Sequence, residues 1–345
     1  MKKMELSIDK TSSVPIFRQL IEKLEAAVRT GELSPGEILP SMNVLASRLG
    51  ISRETVKKAY DMLRDGGLLE SRQGKGFYVA GARRAGRRCR VLVILDKQSI
   101  YKQLFLKSLQ DRLGSRADVT ILFHNQDTDL LDYYLGRHLD NFDYYLVSPH
   151  FALDEKAQGR AARLLRRIPN RKLIMVDNWL RSVPGNYGAV YQDFAQDAYD
   201  GLTGGLEKLR RAGRLKVIRL SSSLYGEQIC ASVGRFCRDN GIRAEFYDEV
   251  PDSVSAGDVF LLLNSQLDWG YVSLSQKIRE SGLSIGTDVG IISYNEFPLN
   301  EVVLGGLTTI STDFSLMGRT AAEMVLCGKL HKVHNEFSMT HRKSF

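Results

Sequence analysis

Residues 41–79 constrain the fold of this chain more than any other segment. Ser41 and Ser52 each precede a short stretch whose apolar residues recur at spacings of three and four, and Gly50 lies between the two stretches. Serine is a favoured helix N-cap and glycine a common helix terminator, so the pattern predicts two short helices joined by a tight turn. Alternating apolar residues around residues 74–76 then predict a two-stranded hairpin. The segment is therefore predicted to form a winged helix-turn-helix.

The second predicted helix has an apolar face and a basic face. Val56, Ala59 and Leu63 recur on the apolar face, whereas Arg53 and Lys57 lie on the other side. Such a helix can lie in the DNA major groove with its N-terminus near phosphate groups. Charged helix faces are often simply solvated, so the helix alone leaves both interpretations open.

The distribution of charge favours DNA binding. The chain of 345 residues has a formal net charge of +8. Residues 1–90 contain 18 basic and 10 acidic side chains, and the remaining residues contain 30 of each. The whole excess of positive charge therefore lies in the segment with the predicted helix-turn-helix, as attraction to DNA phosphates requires. A membrane surface or an acidic substrate explains this arrangement less simply.

Residues 14–80 resemble the GntR family of bacterial regulators in the order and spacing of several motifs. The matching motifs are residues 14–20 (VPIFRQL), 31–41 (GELSPGEILPS), 51–56 (ISRETV), 66–69 (GGLL) and 73–76 (QGKG). The resemblance implies DNA contacts from the start of the second helix and from the tip of the hairpin. Asn43 and Lys57 stand where the family commonly has arginines. The candidate DNA-binding residues are Ser41, Asn43, Ser52, Arg53, Thr55, Lys57, Gly74 and Lys75.

A change in composition marks the end of the first domain. Residues 81–90 are rich in arginine and small residues and lack apolar periodicity, which is typical of a linker. Short apolar runs follow, from 91–95 to 289–293, with predicted helices between them, for example at 194–212. Buried strands that alternate with helices predict a doubly wound α/β fold, and their number indicates two lobes. The predicted domains are a winged helix-turn-helix at 1–80, a basic linker at 81–90 and a two-lobed effector-binding and dimerisation domain at 91–345.

The second domain resembles the sugar-binding regulatory domain of the LacI family, which is itself similar to periplasmic sugar-binding proteins. The resemblance is strongest at residues 280–296 and 307–322. A GntR-type DNA-binding domain joined to a LacI-type sensor is similar in architecture to bacterial arabinose repressors. The resemblance implies a periplasmic-binding-protein-like fold, a homodimer that pairs through its lobes, and a sugar bound beyond the carboxyl ends of the strands.

The same resemblance indicates candidate effector-binding residues. Asn295 stands where the LacI family has a strand-end aspartate that hydrogen-bonds the sugar, and an amide also suits hydroxyl groups. Asp268 matches a second polar contact, while the position of the sugar-binding arginine holds no arginine here. Tyr101 and Trp179 follow strands and are candidates for stacking on a sugar ring, although such aromatic residues are as often part of a core. The candidate effector-binding residues are Tyr101, Asp177, Trp179, Asp193, Asp268, Asn295 and Glu296.

Other features argue against a membrane segment and a metal site. The N-terminus lacks the apolar run of a secretory signal, and no stretch approaches the roughly 20 apolar residues of a membrane span. The four cysteines have no paired spacing, and the six histidines form no metal-binding motif. We therefore expect a cytoplasmic protein with reduced thiols, no metal, no cofactor and no catalytic residues.

Three functions compete at this point. A regulator of operator DNA that responds to a sugar, most simply a repressor, accounts for both domains. A GntR-type domain fused to a pyridoxal-phosphate aminotransferase-like domain would need a larger module and a Schiff-base lysine after a strand. A sugar-binding protein without DNA binding would need a signal sequence and has no use for residues 14–79. We expect the first function and no enzymatic activity.

Overall fold

The computed structural model describes most of the chain. The described residues are 7–12, 14–34, 36–65, 68–72, 76–79, 88–219, 223–263 and 269–345. The chain divides into two compact units, Met1–Arg88 and Cys89–Phe345. Among the helices in the described ranges, none is both long enough and apolar enough to cross a lipid bilayer.

In its described residues, the N-terminal unit contains three helices followed by a hairpin. They are α1 (Ile16–Arg29), α2 (Met42–Leu49), α3 (Arg53–Asp65), β1 (Leu69–Arg72) and β2 (Gly76–Val79). The two strands pair antiparallel, with Leu69 opposite Val79 and Arg72 opposite Gly76. The predicted winged helix-turn-helix is confirmed.

Local sequence signals position the two helices of the helix-turn-helix. The Ser41 Oγ accepts a hydrogen bond from the Val44 N–H at 3.3 Å, and the Ser52 Oγ accepts one from the Thr55 N–H at 3.1 Å. Both serines therefore cap helices as predicted. Gly50 ends α2 with a φ of 60°, a left-handed conformation that glycine adopts without steric cost.

The three helices bury their apolar faces in one small core. Leu24 of α1, Leu45 of α2 and Val56 of α3 are fully buried there. Because that face of α3 packs inward, Arg53 and Lys57 on its opposite side are exposed. The basic side of the helix is thus free to contact another molecule.

The second unit consists of two lobes. Lobe 1 contains β3 (Cys89–Leu95), α4 (Ile100–Leu113), β4 (Ala117–Phe123), α5 (Thr128–His138), β5 (Tyr144–Val147), α6 (Glu155–Leu165), β6 (Leu173–Asp177) and β7 (Gly188–Tyr191). Lobe 2 contains α7 (Asp197–Thr203), α8 (Leu206–Ala212), β8 (Arg214–Ile218), α9 (Gly226–Asp239), β9 (Arg243–Tyr247), β10 (Val259–Leu262), α10 (Trp269–Glu280), β11 (Gly290–Tyr294) and β12 (Thr308–Thr312). The chain then forms α11 (Phe314–Cys327) and β13 (Lys332–His334), which belong to lobe 1, and β14 (Phe337–Thr340), which belongs to lobe 2.

The two lobes repeat one sheet topology. The strand order is β4-β3-β5-β6-β7-β13 in lobe 1 and β9-β8-β10-β11-β12-β14 in lobe 2. In these two sheets the paired strands are parallel except β14, which runs antiparallel to β12. In lobe 1, α4 and α11 cover one face of the sheet, and α5 and α6 cover the other. The predicted doubly wound, two-lobed α/β fold is confirmed.

The helical stretch predicted at 194–212 is divided in the structure. The chain forms α7 and α8 there, separated by Gly204 and Gly205. A Cβ at Gly204 would lie 2.9 Å from the Cβ of Met339, and one at Gly205 would lie 2.8 Å from the ring of Phe345. The two glycines therefore let the C-terminal segment pack closely against this helical region, a contact that helical periodicity cannot reveal.

In the described residues, the chain passes from one lobe to the other three times. These crossings lie at residues 192–196, at Asp313 and at residues 335–336. We call the three segments the hinge. Asn335 ties them together and is only 2% exposed. Its N–H donates to the carbonyl of Tyr191 at 2.8 Å. Its Nδ2 donates to the Thr312 Oγ1 at 2.7 Å and to the carbonyl of Asp313 at 2.9 Å.

Replacing Asn335 with alanine should destabilise the second unit. The change takes the donor from one buried acceptor and one partly buried acceptor, which costs about 2 kcal/mol. For a unit of this size we expect the melting temperature to fall by roughly 4–8 °C. Differential scanning calorimetry of the full chain measures this shift. The matched control is Asn141→Ala, which removes an exposed amide bonded to the carbonyl of Arg137 and should change stability by less than about 0.5 kcal/mol. Equal melting of the two variants would refute the role given to Asn335.

Candidate functional site

The N-terminus and exposed side of α3 form the candidate DNA-binding surface. Ser52, Arg53 and Lys57 are exposed, and Thr55 is partly buried. The hydroxyl oxygens of Ser52 and Thr55 lie 2.7 Å apart at the start of the helix. A helix N-terminus presents backbone N–H groups and a partial positive charge, so this end of α3 suits a phosphate group.

The other candidate DNA-binding residues lie at the start of α2 and at the hairpin tip. Ser41 and Asn43 are exposed at the start of α2. Gly74 and Lys75 lie between β1 and β2, outside the described residues. The described candidate residues therefore lie at or near the starts of α2 and α3, while the contribution of the hairpin tip stays a prediction from the sequence.

Polar residues at three strand ends of lobe 1 meet in a buried cluster. Asp96 follows β3, Ser148 follows β5 and Asp177 ends β6. The Nζ of Lys102, from α4, lies 2.9 Å from the Asp96 Oδ1 and 3.2 Å from the Ser148 Oγ, and it also bonds the Asp177 Oδ2. The Nε2 of His150 lies 2.8 Å from the same Asp177 oxygen. We call these five residues the charge cluster, and each is buried.

The buried Asp177 and Lys102 stay ionised because each is paired with groups of opposite charge. Burial alone would raise the pKa of Asp177, but Lys102 and then His150 hold that pKa well below its ordinary value. Burial likewise opposes the charge on Lys102, yet Asp177 and Asp96 hold the pKa of Lys102 above its ordinary value. Removing one partner would leave an uncompensated charge in the interior, which typically costs about 3–5 kcal/mol. The cluster therefore acts as a unit.

The same cluster has the donor set of a metal site. Asp96, His150 and Asp177 bring their ligand atoms within 4.8 Å of one another. The ammonium group of Lys102 contacts both carboxylates, so the chain supplies its own cation at this point. A divalent ion would have to displace this ammonium group to bind both carboxylates.

A cavity of about 420 Å³ lies beside the charge cluster, between strand ends of lobe 1 and the start of α9 in lobe 2. Its volume falls within the range of small-molecule sites, about 300–1,000 Å³. Carboxamides and aromatic rings dominate the described lining, which includes Gln158, Asn178, Gln192, Gln228, Trp179, Tyr191, Phe194 and Tyr225. Carboxamides can both donate and accept hydrogen bonds, and aromatic rings offer flat apolar faces. The cavity therefore suits a polar ligand with an apolar ring face.

Tyr225 connects the two lobes across this cavity. It lies immediately before α9 in lobe 2 and is 8% exposed. Its hydroxyl oxygen lies 2.8 Å from the His150 Nδ1 and 2.9 Å from the Asn178 Nδ2, both in lobe 1. The ring of Phe194 stacks on the Tyr225 ring with centroids 3.9 Å apart. The structure thus shows the lobes in contact at the cavity wall.

Three of the candidate effector-binding residues lie at or next to the cavity. Trp179 and Asp193 belong to its lining. Asp177 lies in the charge cluster, where its Oδ1 accepts a hydrogen bond from the Gln192 Nε2 at 2.5 Å. Because Gln192 itself lines the cavity, Asp177 orients a lining residue. Asp268 lies outside the described residues.

Tyr101 and Glu296 occupy positions other than those expected from the sequence, and neither is in the described lining. Tyr101 is 5% exposed in the core of lobe 1 and stacks on Phe314 with ring centroids 5.4 Å apart. The carboxylate of Glu296 accepts two hydrogen bonds from the guanidinium group of Arg342, at 2.8 and 2.9 Å. Tyr101 therefore packs in the core, and Glu296 anchors the C-terminal segment.

Asn295 lies immediately after β11, which corresponds in lobe 2 to β6 in lobe 1. Asn295 has a φ of 75° and Asp177 a φ of 71°, both in the left-handed region that residues with a Cβ rarely adopt. The Oδ1 of Asn295 is buried without a hydrogen-bond partner. Such conformations concentrate at functional sites, although neither residue belongs to the described lining of the cavity.

Sequence analysis missed several residues around the cavity. Ser148 and His150 follow the apolar run of β5, and a polar residue directly after such a run is a usable signal for a site at the sheet edge. Lys102 and Tyr225 carry no such signal because they belong to or precede helices. Their approach to strand ends of lobe 1 depends on tertiary packing.

Two parts of the chain match known families. Residues 17–79 match the bacterial regulatory proteins of the gntR family. Residues 265–340 match the periplasmic binding protein-like domain. The first match runs from α1 to the end of β2. The second runs from α10 to β14, and so it includes α11 and β13 of lobe 1 as well as elements of lobe 2.

Relatives with similar sequences share the N-terminal region. The probable rhizopine catabolism regulatory protein MocR of Rhizobium meliloti is 45% identical over 75 residues, which are 22% of this chain and 15% of MocR. The HTH-type transcriptional repressor NagR of Bacillus subtilis (strain 168) is 40% identical over 75 residues, which are 22% of this chain and 31% of NagR. The chain thus matches less than a third of the length of either relative.

Solved structures resemble this chain over about three quarters of its length, at low sequence identity. The lac repressor dimer bound to operator and the anti-inducer ONPF has a TM-score of 0.55 and 17% identity, covering 76% of this chain and 96% of that chain. A periplasmic binding protein/LacI transcriptional regulator from Alkaliphilus metalliredigens QYMF, complexed with D-xylulofuranose, has a TM-score of 0.52 and 12% identity, covering 74% and 98%. At such identities the likeness shows the fold alone. The chain therefore joins an N-terminal GntR-family helix-turn-helix domain to a periplasmic-binding-protein-like domain with the fold of LacI-family repressors.

Proposed function

We propose that this protein is a repressor that binds operator DNA through its N-terminal unit and responds to a sugar bound between the lobes of its second unit. The observation that carries the proposal is a ligand-sized cavity in the same chain as a capped helix with an exposed basic face. Binding of operator DNA implies a cytoplasmic location. NagR, a relative of the N-terminal region, is a transcriptional repressor, and the similar structure from Alkaliphilus metalliredigens is a complex with D-xylulofuranose.

The lining of the cavity supports a sugar as the effector. The rings of Trp179 and Tyr191 pack with centroids 4.9 Å apart at one side of the cavity. The carboxamide side chains of Gln158 and Gln228 belong to the same lining. A sugar has the matching combination, because its hydroxyl groups hydrogen-bond to amides while its C–H face packs on an aromatic ring.

A chain of contacts leads from the cavity to the hinge. The ring of Tyr191 stacks on His334 with centroids 5.7 Å apart. The His334 Nε2 lies 2.6 Å from the Oδ1 of the fully buried Asp197, and these two residues flank different crossings of the hinge. A ligand that displaces Tyr191 therefore acts on the segments that set the angle between the lobes. A changed angle alters the spacing of paired DNA-binding helices, and release of DNA is the expected response.

The aminotransferase-like alternative lacks support from the fold. Residues 89–345 form two lobes with the LacI-type arrangement, in place of the larger aminotransferase-like module that this alternative requires. A regulator without enzymatic activity remains the proposal that accounts for both units.

Replacing Arg53 with alanine should weaken binding to the operator. The change removes an exposed guanidinium group at the start of α3, and loss of such a contact costs about 1–3 kcal/mol, or about 5- to 150-fold in affinity. An operator selected from random duplexes can be titrated by fluorescence anisotropy at fixed salt. Lys107→Ala is the matched control, since it removes one exposed positive charge from the second unit. The proposed surface is incorrect if the two variants bind the operator equally well.

The protein should be a dimer in solution. One recognition helix covers only part of a specific site, and two half-sites one helical turn apart give the usual affinity. Light scattering coupled to gel filtration should yield twice the 38.8 kDa mass of the chain. A monomer both free and on the operator would contradict this expectation.

A sugar should lower the affinity for the operator. Linkage limits the change to the differential affinity of the sugar for the two states, typically about 1–3 kcal/mol or 5- to 150-fold. Thermal-shift assays with millimolar pentoses, hexoses and their phosphates can first identify a ligand, since a ligand at 100 times its dissociation constant stabilises by about 2.7 kcal/mol. Anisotropy with labelled operator then measures the coupling. Asn295→Ala should bind operator normally but respond less to the sugar, and an unchanged sugar affinity would remove Asn295 from the site.

A further inference from the structure

Two aromatic side chains that belong to lobe 2 by chain position pack against lobe 1. Tyr225 lies directly before α9, and Phe297 lies between β11 and β12. They are 8% and 7% exposed, so the surrounding structure encloses both rings. Because the two residues come from different segments of lobe 2, the lobes are joined at two points in addition to the hinge.

The hydroxyl group of Tyr225 is fully hydrogen-bonded to lobe 1. The ionised carboxylate of Asp177 only accepts hydrogen bonds, so the Nε2 of His150, at 2.8 Å, is the donor of that pair. A neutral imidazole carries its single ring proton there, which leaves the Nδ1 as an acceptor for the O–H of Tyr225 at 2.8 Å. The Nδ2 of Asn178 donates to the hydroxyl oxygen of Tyr225 at 2.9 Å. The hydroxyl group thus both donates to lobe 1 and accepts from it.

Burial keeps the hydroxyl group of Tyr225 protonated for this arrangement. Desolvation, and then the negative charge of Asp177, raise the pKa of Tyr225 well above its ordinary value. The Tyr225 ring is held as well, since it lies nearly parallel to the ring of Phe194, with an interplanar angle of 7°. Both hydrogen-bond partners of the hydroxyl follow strands of lobe 1, so movement of α9 away from the ends of β5 and β6 would have to break both bonds.

The contact at Phe297 is apolar. Phe297 packs in the hydrophobic core of lobe 1, although β11 and β12, which flank it, belong to lobe 2. Its ring meets the Tyr101 ring edge to face, with centroids 6.1 Å apart, and Tyr101 in turn stacks on Phe314. Withdrawal of the Phe297 ring would expose apolar surface to water, which opposes separation of the lobes.

We propose that Tyr225 and Phe297 form a latch that holds the two lobes closed in the absence of any ligand. Tyr225 supplies hydrogen bonds to lobe 1, and Phe297 supplies an apolar contact with its core. Closure in this chain therefore needs no ligand to bridge the cleft, and an effector acts on lobes that are already joined. The latch is a property of the ligand-free chain, so its test requires neither an effector nor DNA.

Pulsed electron paramagnetic resonance on the full-length, ligand-free protein can measure the distance between the lobes. Lys156 on α6 of lobe 1 and Arg238 on α9 of lobe 2 are both exposed. Spin labels on a genetically encoded ketone amino acid at these two positions leave the four cysteines unmodified. Chains with a single label identify any distance between two copies. Wild type should show one population, at the separation of the two positions in the structure, and a predominance of longer distances would overturn the latch.

The two latch residues are tested with Tyr225→Phe, Phe297→Ala and the double variant. Tyr225→Phe removes only the hydroxyl group, which leaves the Nδ1 of His150 without a partner in the closed state, whereas water can reach it in the open state. The ratio of closed to open chains should therefore fall by about tenfold from Phe297→Ala to the double variant. Equal distance distributions in these two proteins would remove Tyr225 from the latch. Equal distributions in Tyr225→Phe and the double variant would likewise remove Phe297.

The matched control is the double variant Phe246→Ala/Tyr247→Phe on β9, an edge strand of lobe 2. Phe246 is exposed, and the hydroxyl group of Tyr247 donates to the Glu245 Oε2 of the same strand at 2.7 Å. This control removes the same groups from lobe 2 and should keep the wild-type distance. An equal lengthening in the control would show that opening follows from general destabilisation and would overturn the latch. Phe297→Leu, which keeps an apolar side chain without the ring, replaces Phe297→Ala if the latter does not fold.

Discussion

The carboxylate of Asp177 is the contact on which the interior of lobe 1 and the cavity wall depend. It accepts hydrogen bonds from Lys102, His150 and Gln192, which come from three different parts of the chain. These contacts compensate both the burial of the charge and the left-handed backbone at Asp177, with a φ of 71°. One carboxylate thus joins the end of β6 to α4, to the segment after β5 and to the residue after β7.

The hinge is connected to the cavity through shared residues. Asn335 links three crossings through its backbone and its amide. Tyr191 contacts both the cavity and the hinge. Its side chain lines the cavity, and its carbonyl oxygen accepts a hydrogen bond from the Asn335 N–H. Packed interiors respond to a ligand by changing between discrete arrangements, which makes such a shared residue a suitable link between ligand binding and lobe rotation.

The N-terminal unit was readily predictable because its signals are local. Ser41 and Ser52 cap the helices that follow them, and Gly50 takes the left-handed conformation that ends α2. The apolar runs of the second unit predicted its central strands for a related reason, since strands buried on both faces need continuous apolar sequence. The sequence did not show the break within the helical stretch at 194–212, where Gly204 and Gly205 accommodate the C-terminal segment and separate two helices.

The cavity was predictable only in part. Strand-end position pointed to Asp177 and to the neighbouring Trp179, but the same rule also suggested Tyr101, which packs against Phe314 in the core. Position along the sequence shows which residues reach a sheet edge, yet it does not show which way each side chain turns.

By itself the sequence determined a basic winged helix-turn-helix and a two-lobed α/β domain, because capping, periodicity and charge act over short distances. Only the tertiary structure decided the chemistry of the cavity. His150 and Tyr225 are 75 positions apart in the chain but share a hydrogen bond, and Lys102 reaches Asp177 across the same separation. Burial then pairs the charges and fixes the amide of Gln192. The physical reason is that hydrogen-bond satisfaction in an interior depends on every neighbouring group at once, and those neighbours are brought together only by the fold.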